Sequence, residues 1–183
     1  MGKSTAAGFF LAAGARVVDT DDLAHELVQP GQPALAEIAS VFGKHLIAPD
    51  GTLRRGDLAK IVFADTAARE KLEGILHPRI QERWQAQVAG WRRENCAVGV
   101  VVIPLLFETQ AETSFDKIIC IACSPETQRE RLAGRGWSPE QIRLRIASQM
   151  PVEQKMARSH YVVWTEGSPE ISRRQISEIL QKH

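Results

Sequence analysis

The chain opens Met1-Gly2-Lys3-Ser4-Thr5 and runs directly into small residues of helical character. Glycine, lysine and hydroxyl groups at a helix start suit phosphate. Backbone N–H groups and the helix dipole receive the anion, Lys3 neutralises it, and the Ser4 hydroxyl can hold Mg2+. The first glycine of the full G-x-x-x-x-G-K-[ST] pattern and the strand feeding it do not occur here, so the tetrapeptide alone is a weak signal. A second group of candidates follows in Val17-Val18-Asp19-Thr20-Asp21-Asp22. Strand alternation would put Asp19 and Asp21 on one face, at the end of the strand that lines the ligand crevice of an open α/β sheet. Two carboxylates there suit Mg2+ binding and orientation of an attacking hydroxyl. The competing reading is that acidic residues merely cap the next helix, a task for which Asp22 alone would suffice.

Short β-branched runs at 16–19, 97–103, 116–122 and 161–165 must position these groups, and they alternate with helical periodicity. The pattern predicts βα units around a mostly parallel sheet. Residues 97–103 read Ala-Val-Gly-Val-Val-Val-Ile, continuous rather than alternating, as befits a central strand covered on both faces. Helices are expected at 22–28, 33–42, 54–64, 66–76 and 79–93, a block far longer than a minimal crossover and read as an inserted substrate-side subdomain. In the last of these, Ile80, Trp84, Val88 and Trp91 share a stripe, which marks them as packing residues rather than a base-stacking platform. Ser138-Pro139-Glu140-Gln141 is a capping-box start for a helix to 150, Pro151 opens a short helix to about 159, and Ser168-Pro169 starts a C-terminal helix. Ile171, Ile176, Ile179 and Leu180 are expected to dock that last helix.

Composition bounds the answer. The 183 residues are 44% apolar and 25% charged, ordinary for one globular domain, and the formal charge of +1 gives no global field for nucleic acid or anionic lipid. Cys96, Cys120 and Cys123 are too few and odd in number for a disulfide framework, which points to a reducing compartment. Cys120 and Cys123 spell C-x-x-C, but within a strand they would face opposite ways and act as buried structural residues. The apolar stretch 6–13 has too short a basic region in front of it to read as a signal peptide.

GKST, VVDTDDLAHELVQPGQPAL, IAPDGTLRR, LHPRI, VVIPLLFE, CSPETQRERLAGRGWSPEQIRLRIASQM and the closing YVV…GS occur in that order. Together they resemble the dephospho-CoA kinase family along nearly the whole chain. The resemblance implies a three-layer α/β P-loop NTPase core with a mostly parallel sheet, an inserted helical substrate subdomain and a helical lid. It divides a single kinase domain into core 1–29, 96–133 and 160–183, a CoA-binding region 30–95 and a lid 134–159. The implied reaction is ATP- and Mg2+-dependent phosphorylation of the 3′-hydroxyl of dephospho-CoA, in the cytoplasm, by a monomer or weak homo-oligomer without nucleic-acid or membrane partners.

Residue by residue, the resemblance gives Gly2, Lys3, Ser4 and Thr5 to ATP phosphates, with Lys3 also catalytic. It gives Asp19 and Asp21 to activation of the acceptor hydroxyl, and Ser4 with Asp21 to the metal. His77 and Arg79 of the H-P-x-I segment, with Leu105 and Glu108 of P-L-L-F-E, are expected on the acceptor side. His77-Pro78 also reads as a plain helix start. Arg131, Arg135, Arg143 and Arg145 fall in the lid region, and five arginines between Arg129 and Arg145 face only Glu130 and Glu140. Guanidinium groups arriving by lid closure stabilise the charge-dispersed transition state and exclude water, so Arg135 (ATP) and Arg145 (catalysis) stand out.

The chain departs from the family at three places. About nine or more residues expected upstream of Gly2 do not precede it, a central strand plus the first half of the loop, which would leave unpaired backbone in the sheet. Ser159-His160 and Thr165 stand where an Ala-Asp pair and an Asn are usual, and Pro104 follows the central strand in place of an aspartate. Two other readings are another small-molecule P-loop kinase and a non-catalytic remnant that keeps CoA-like ligands but lacks ATP binding.

Overall fold

Capping residues set most element boundaries. In the computed structural model, which describes residues 2–182, the order is α1 (Lys3–Ala12), β1 (Arg16–Asp19), α2 (Thr20–Leu27), α3 (Pro33–Phe42), α4 (Arg55–Ala64), α5 (Thr66–Arg93), β2 (Gly99–Val102), β3 (Ile119–Ala122), α6 (Pro125–Ala133), α7 (Pro139–Ala147), α8 (Val152–Ala157), β4 (Tyr161–Trp164) and α9 (Pro169–Leu180). Ser124 caps α6 by accepting from the Thr127 N–H at 3.2 Å. The capping box of α7 is complete: Ser138 Oγ accepts from Gln141 N–H at 3.3 Å and Gln141 Oε1 accepts from Ser138 N–H at 3.0 Å.

Three boundaries differ from the sequence expectation. Residues 66–93 form one helix that runs through Pro78, so His77-Pro78 is not a helix start. Proline deprives only the Gly74 carbonyl of its helical donor, and Arg79 Nη1 donates to the neighbouring Ile75 carbonyl at 2.6 Å, while packing on both sides holds the axis. Helix α7 stops at Ala147 rather than at 150, where Ser148 Oγ turns back to the Arg145 carbonyl at 3.0 Å. Strands β2 and β3 are shorter than their apolar runs, and the strands described pair two and two, β1 with β2 and β3 with β4, not in one sheet.

The chain divides into two compact units, 1–17 with 102–183, and 18–101. In the second, α2 to α5 close around Ile38 and Leu46, both 0% exposed, with Leu27, Leu35, Leu58 and Ile75 around them. Each such side chain contributes roughly 1.5–3 kcal/mol by leaving water. Ion pairs tie the long helix to its neighbours: Arg79 to Glu37 of α3 at 2.6 Å and Arg83 to Glu26 of α2 at 3.0 Å. Trp84 is buried and Trp91 lies flat against Gly99, so both tryptophans pack.

In the first unit β3 and β4 run parallel, Ile119 opposite Tyr161 through Ala122 opposite Trp164. Helix α9 lies against β4 and α1, while α8 lies against β3. Ile176 and Ile179 of α9 are buried, but Ile171 is exposed and Ser172 takes the inward position beside it. The Gln175 amide covers the edge of β4, accepting from Trp164 N–H at 2.9 Å and donating to Trp164 O at 3.0 Å. Cys120 and Cys123 are both buried and free, and β3 ends between them.

A Cβ built on Gly99 falls 2.6 Å from Trp91 Cε3, a ring carbon that cannot swing aside like a flexible chain end. Gly99→Ala should therefore cost about 1–3 kcal/mol in urea unfolding. An unchanged midpoint would mean that Trp91 repacks freely.

Candidate active site

Gly2 takes φ of +79°, a conformation that side chains other than glycine rarely adopt, and its α-carbon faces Thr165. This bend lets α1 begin at Lys3. Its first internal bond runs from Ala6 N–H to Gly2 O at 3.0 Å, so the Lys3, Ser4 and Thr5 N–H groups precede the helical ladder. No acidic residue occupies that first turn, and Ser4 and Thr5 are exposed. The local field there favours an anion.

The same end of α1 borders a cavity of about 410 Å³ lined by Gly2, Thr5, Ala6, Arg131, Gly134, Arg135, Thr165, Gly167, Pro169 and Ser172. Of the expected ATP residues, Gly2, Thr5 and Arg135 come together on its wall; Lys3 and Ser4 are their chain neighbours. Arg131 does not reach out as a lid arginine. Its Nη1 donates to Thr165 Oγ1 at 2.9 Å and its Nη2 to Thr165 O at 2.6 Å. Thr165 in turn donates Oγ1 to Ala122 O at 3.0 Å and its N–H to the same oxygen at 2.8 Å. Threonine thus fits tightly at this departure from the family. Glu166 fixes the following turn by accepting from Ser124 N–H at 2.7 Å and Trp164 Nε1–H at 3.1 Å. Hydrogen bonds from Ser124, chiefly, hold its carboxyl down at about 2.

On the segment after β2, Leu105 is half-buried and Phe107 buried. Glu108 is committed to the interior of its unit: Oε1 accepts from Lys155 Nζ at 2.7 Å and from Met150 N–H at 2.8 Å, and Lys155 also donates to Pro104 O at 3.1 Å. Burial pushes the Glu108 carboxyl up, but Lys155 and the Met150 N–H outweigh it, leaving it below its ordinary value. Glu112 pairs with Arg158, whose guanidinium also covers the Phe107 ring at 4.5 Å. Arg145 lies over the Trp137 ring at 4.4 Å.

In the other unit, Asp21 lies in the first turn of α2 and not on the strand, so alternation does not relate it to Asp19. Asp19, not Asp22, is the N-cap: its Oδ1 accepts from Asp21 N–H at 2.9 Å. The Asp21 carboxylate is exposed and has no partner among the described residues. His77 is half-buried in mid-helix, and Arg79 beside it is engaged by Ile75 O and Glu37.

The sequence model of a family described as dephospho-CoA kinase matches residues 1–170. The chain belongs to the dephospho-CoA kinase family. The dephospho-CoA kinase of Syntrophotalea carbinolica is 40% identical over 182 residues, 99% of this chain and 86% of that one. The dephospho-CoA kinase of Geobacter sulfurreducens is 39% identical, over 99% and 92% of the two chains. A solved Thermus thermophilus protein superposes with a TM-score of 0.80 at 29% identity, over 99% of this chain and 91% of that one. The dephospho-CoA kinase structure from Campylobacter jejuni gives 0.72 at 28%, over 99% and 90%. Membership of the dephospho-CoA kinase family makes the chain a P-loop NTPase fold and an ATP-dependent kinase acting on a small molecule. No described helix is long and apolar enough to cross a membrane.

Ser172 lines this cavity and Glu166 braces the turn beside it, while Lys155 holds Glu108, all without a local sequence signature. Glu108 and Lys155 are 47 positions apart, and Ser124 and Glu166 are 42, so no spacing rule links them.

Lys155→Met should raise the Glu108 pKa and cost about 3 kcal/mol in urea unfolding, with part of the loss recovered when Glu108→Leu is added. An additive double variant would contradict the pairing. The Glu166 carboxyl is depressed, so its contribution to stability is present above its unfolded value and is lost as pH falls from about 4.5 toward about 2. Carboxyl NMR should show that titration, and Glu166→Gln should remove this part of the acid dependence.

Proposed function

We propose that this kinase transfers the γ-phosphoryl group of ATP to the ribose 3′-hydroxyl of dephospho-CoA, with Mg2+, to give coenzyme A. The observation that carries the reading is the cavity at the α1 N-terminus, where Gly2, Thr5 and Arg135 share a wall in a member of this family. Backbone N–H groups of Lys3, Ser4 and Thr5, with the Lys3 ammonium, bind the phosphates, and Arg135 adds a positive group from the end of α6.

Asp21 orients and deprotonates the acceptor hydroxyl, because its carboxylate carries no structural bond among the described residues. Asp19 holds the first turn of α2 that presents Asp21. Ser4 and Asp21 each offer an oxygen donor of the kind a hard cation prefers, and Mg2+ would neutralise phosphate charge. His77, Arg79, Leu105 and Glu108 belong to the acceptor side, Glu108 and Arg79 by fixing backbone. Arg145 leaves Trp137 to meet the transferring phosphoryl group. The enzyme works in the cytoplasm as a monomer or weak homo-oligomer, without nucleic acid or membrane.

The test is ADP release that depends on added dephospho-CoA, run on this chain and on one extended upstream through its own codons. Asp21→Asn should lower kcat by about 10²- to 10⁴-fold. Asp19→Asn should lower it less, since asparagine caps as well as aspartate does. Equal losses would remove the division of roles, and absence of both turnover and ADP binding in both chains would favour the non-catalytic remnant.

A further inference from the structure

Thr5 and Ser172 both bring to the cavity wall a hydroxyl that bonds no described residue, and of the two Ser172 is the buried one. Ser172 of α9 is 5% exposed and lines the cavity, and its side chain makes no hydrogen bond with any described residue. Its oxygen is not sealed in protein: the enclosed side-chain oxygens without a partner, among the described residues, are those of Glu108 and Glu112. The Ser172 oxygen therefore keeps some accessible surface, on a residue that lines the cavity. An inward serine on a helix face whose other inward residues are Ile176 and Ile179 leaves a polar group with nothing to bond unless something enters.

Phosphates at the α1 N-terminus leave Thr165, Gly167, Pro169 and Ser172 as the wall for the nucleoside. Thr165 gives its single hydroxyl proton to Ala122 O, so it has none to donate to a ring nitrogen. Arg131, held on Thr165 by two of its N–H groups, has no acceptor for an amino group. Gly167 and Pro169 bring no side-chain donor or acceptor. We propose that Ser172 is a specificity-determining residue of the donor site, whose hydroxyl reads the amino edge of the adenine base. A hydroxyl both accepts and donates, which matches an exocyclic amino group next to a ring nitrogen. The inference rests on the cavity being the ATP site.

Calorimetric titration of ADP and of purine riboside 5′-diphosphate, which lacks the 6-amino group, tests it without any need for turnover. The parent chain should prefer ADP by roughly three- to tenfold, the worth of one hydrogen bond. Ser172→Ala, which removes a single oxygen, should weaken ADP by that factor and erase the preference. Equal binding of both nucleotides by the parent chain, or an ADP preference that survives Ser172→Ala, overturns the role of Ser172 while leaving the ATP site in place. Absence of ADP binding in the parent chain overturns the site assignment and this inference with it.

Discussion

Thr165 is the point on which the unit of residues 1–17 and 102–183 turns. Its N–H extends the β3–β4 ladder onto Ala122, its hydroxyl bonds the same carbonyl, and Arg131 of α6 grips both its oxygens. Only 7% of it is exposed, and a Cβ built on Gly2 would come within 3.4 Å of its Oγ1, so one residue stands beside β3, α6 and the start of α1. A longer side chain at Gly2 would meet both this neighbour and a forbidden backbone angle.

Charge is distributed by the same logic. Buried charges in this chain are paired and spent on architecture: Lys155 with Glu108 holds the segment after β2 to α8 and to the end of the α7 connection. Such a pair contributes little net stability, because desolvation offsets its attraction, but removing one member leaves the other stranded. The groups suited to reacting phosphate lie elsewhere, on exposed first turns. Asp21 follows the cap of α2, and Ser4 and Thr5 follow the bend at Gly2. The Asp19 cap fixes the α2 turn and the Gly2 bend sets the α1 turn, and neither uses the side chains of Asp21, Ser4 or Thr5.

The sequence alone determined what is local. Capping boxes, proline at first turns and the Trp84–Trp91 stripe are patterns over a few residues, and the helices they announce form, apart from the continuous helix through Pro78 and the early end of α7 at Ala147. The order of GKST, the aspartates, H-P-R-I, P-L-L-F-E and the arginine run also carried the family. Tertiary structure decided which of those residues are free to act. Asp19 rather than Asp22 caps α2, Arg131 braces a wall, and Ser172 rather than Ile171 turns inward. The Arg131 bond spans 34 positions and the Ser172 placement is a rotation of one residue about a helix axis, while the Asp19 cap is set by where β1 gives way to α2. Spacing rules extend only over a turn or a strand, and a long-range bond exists only once the chain has closed on itself.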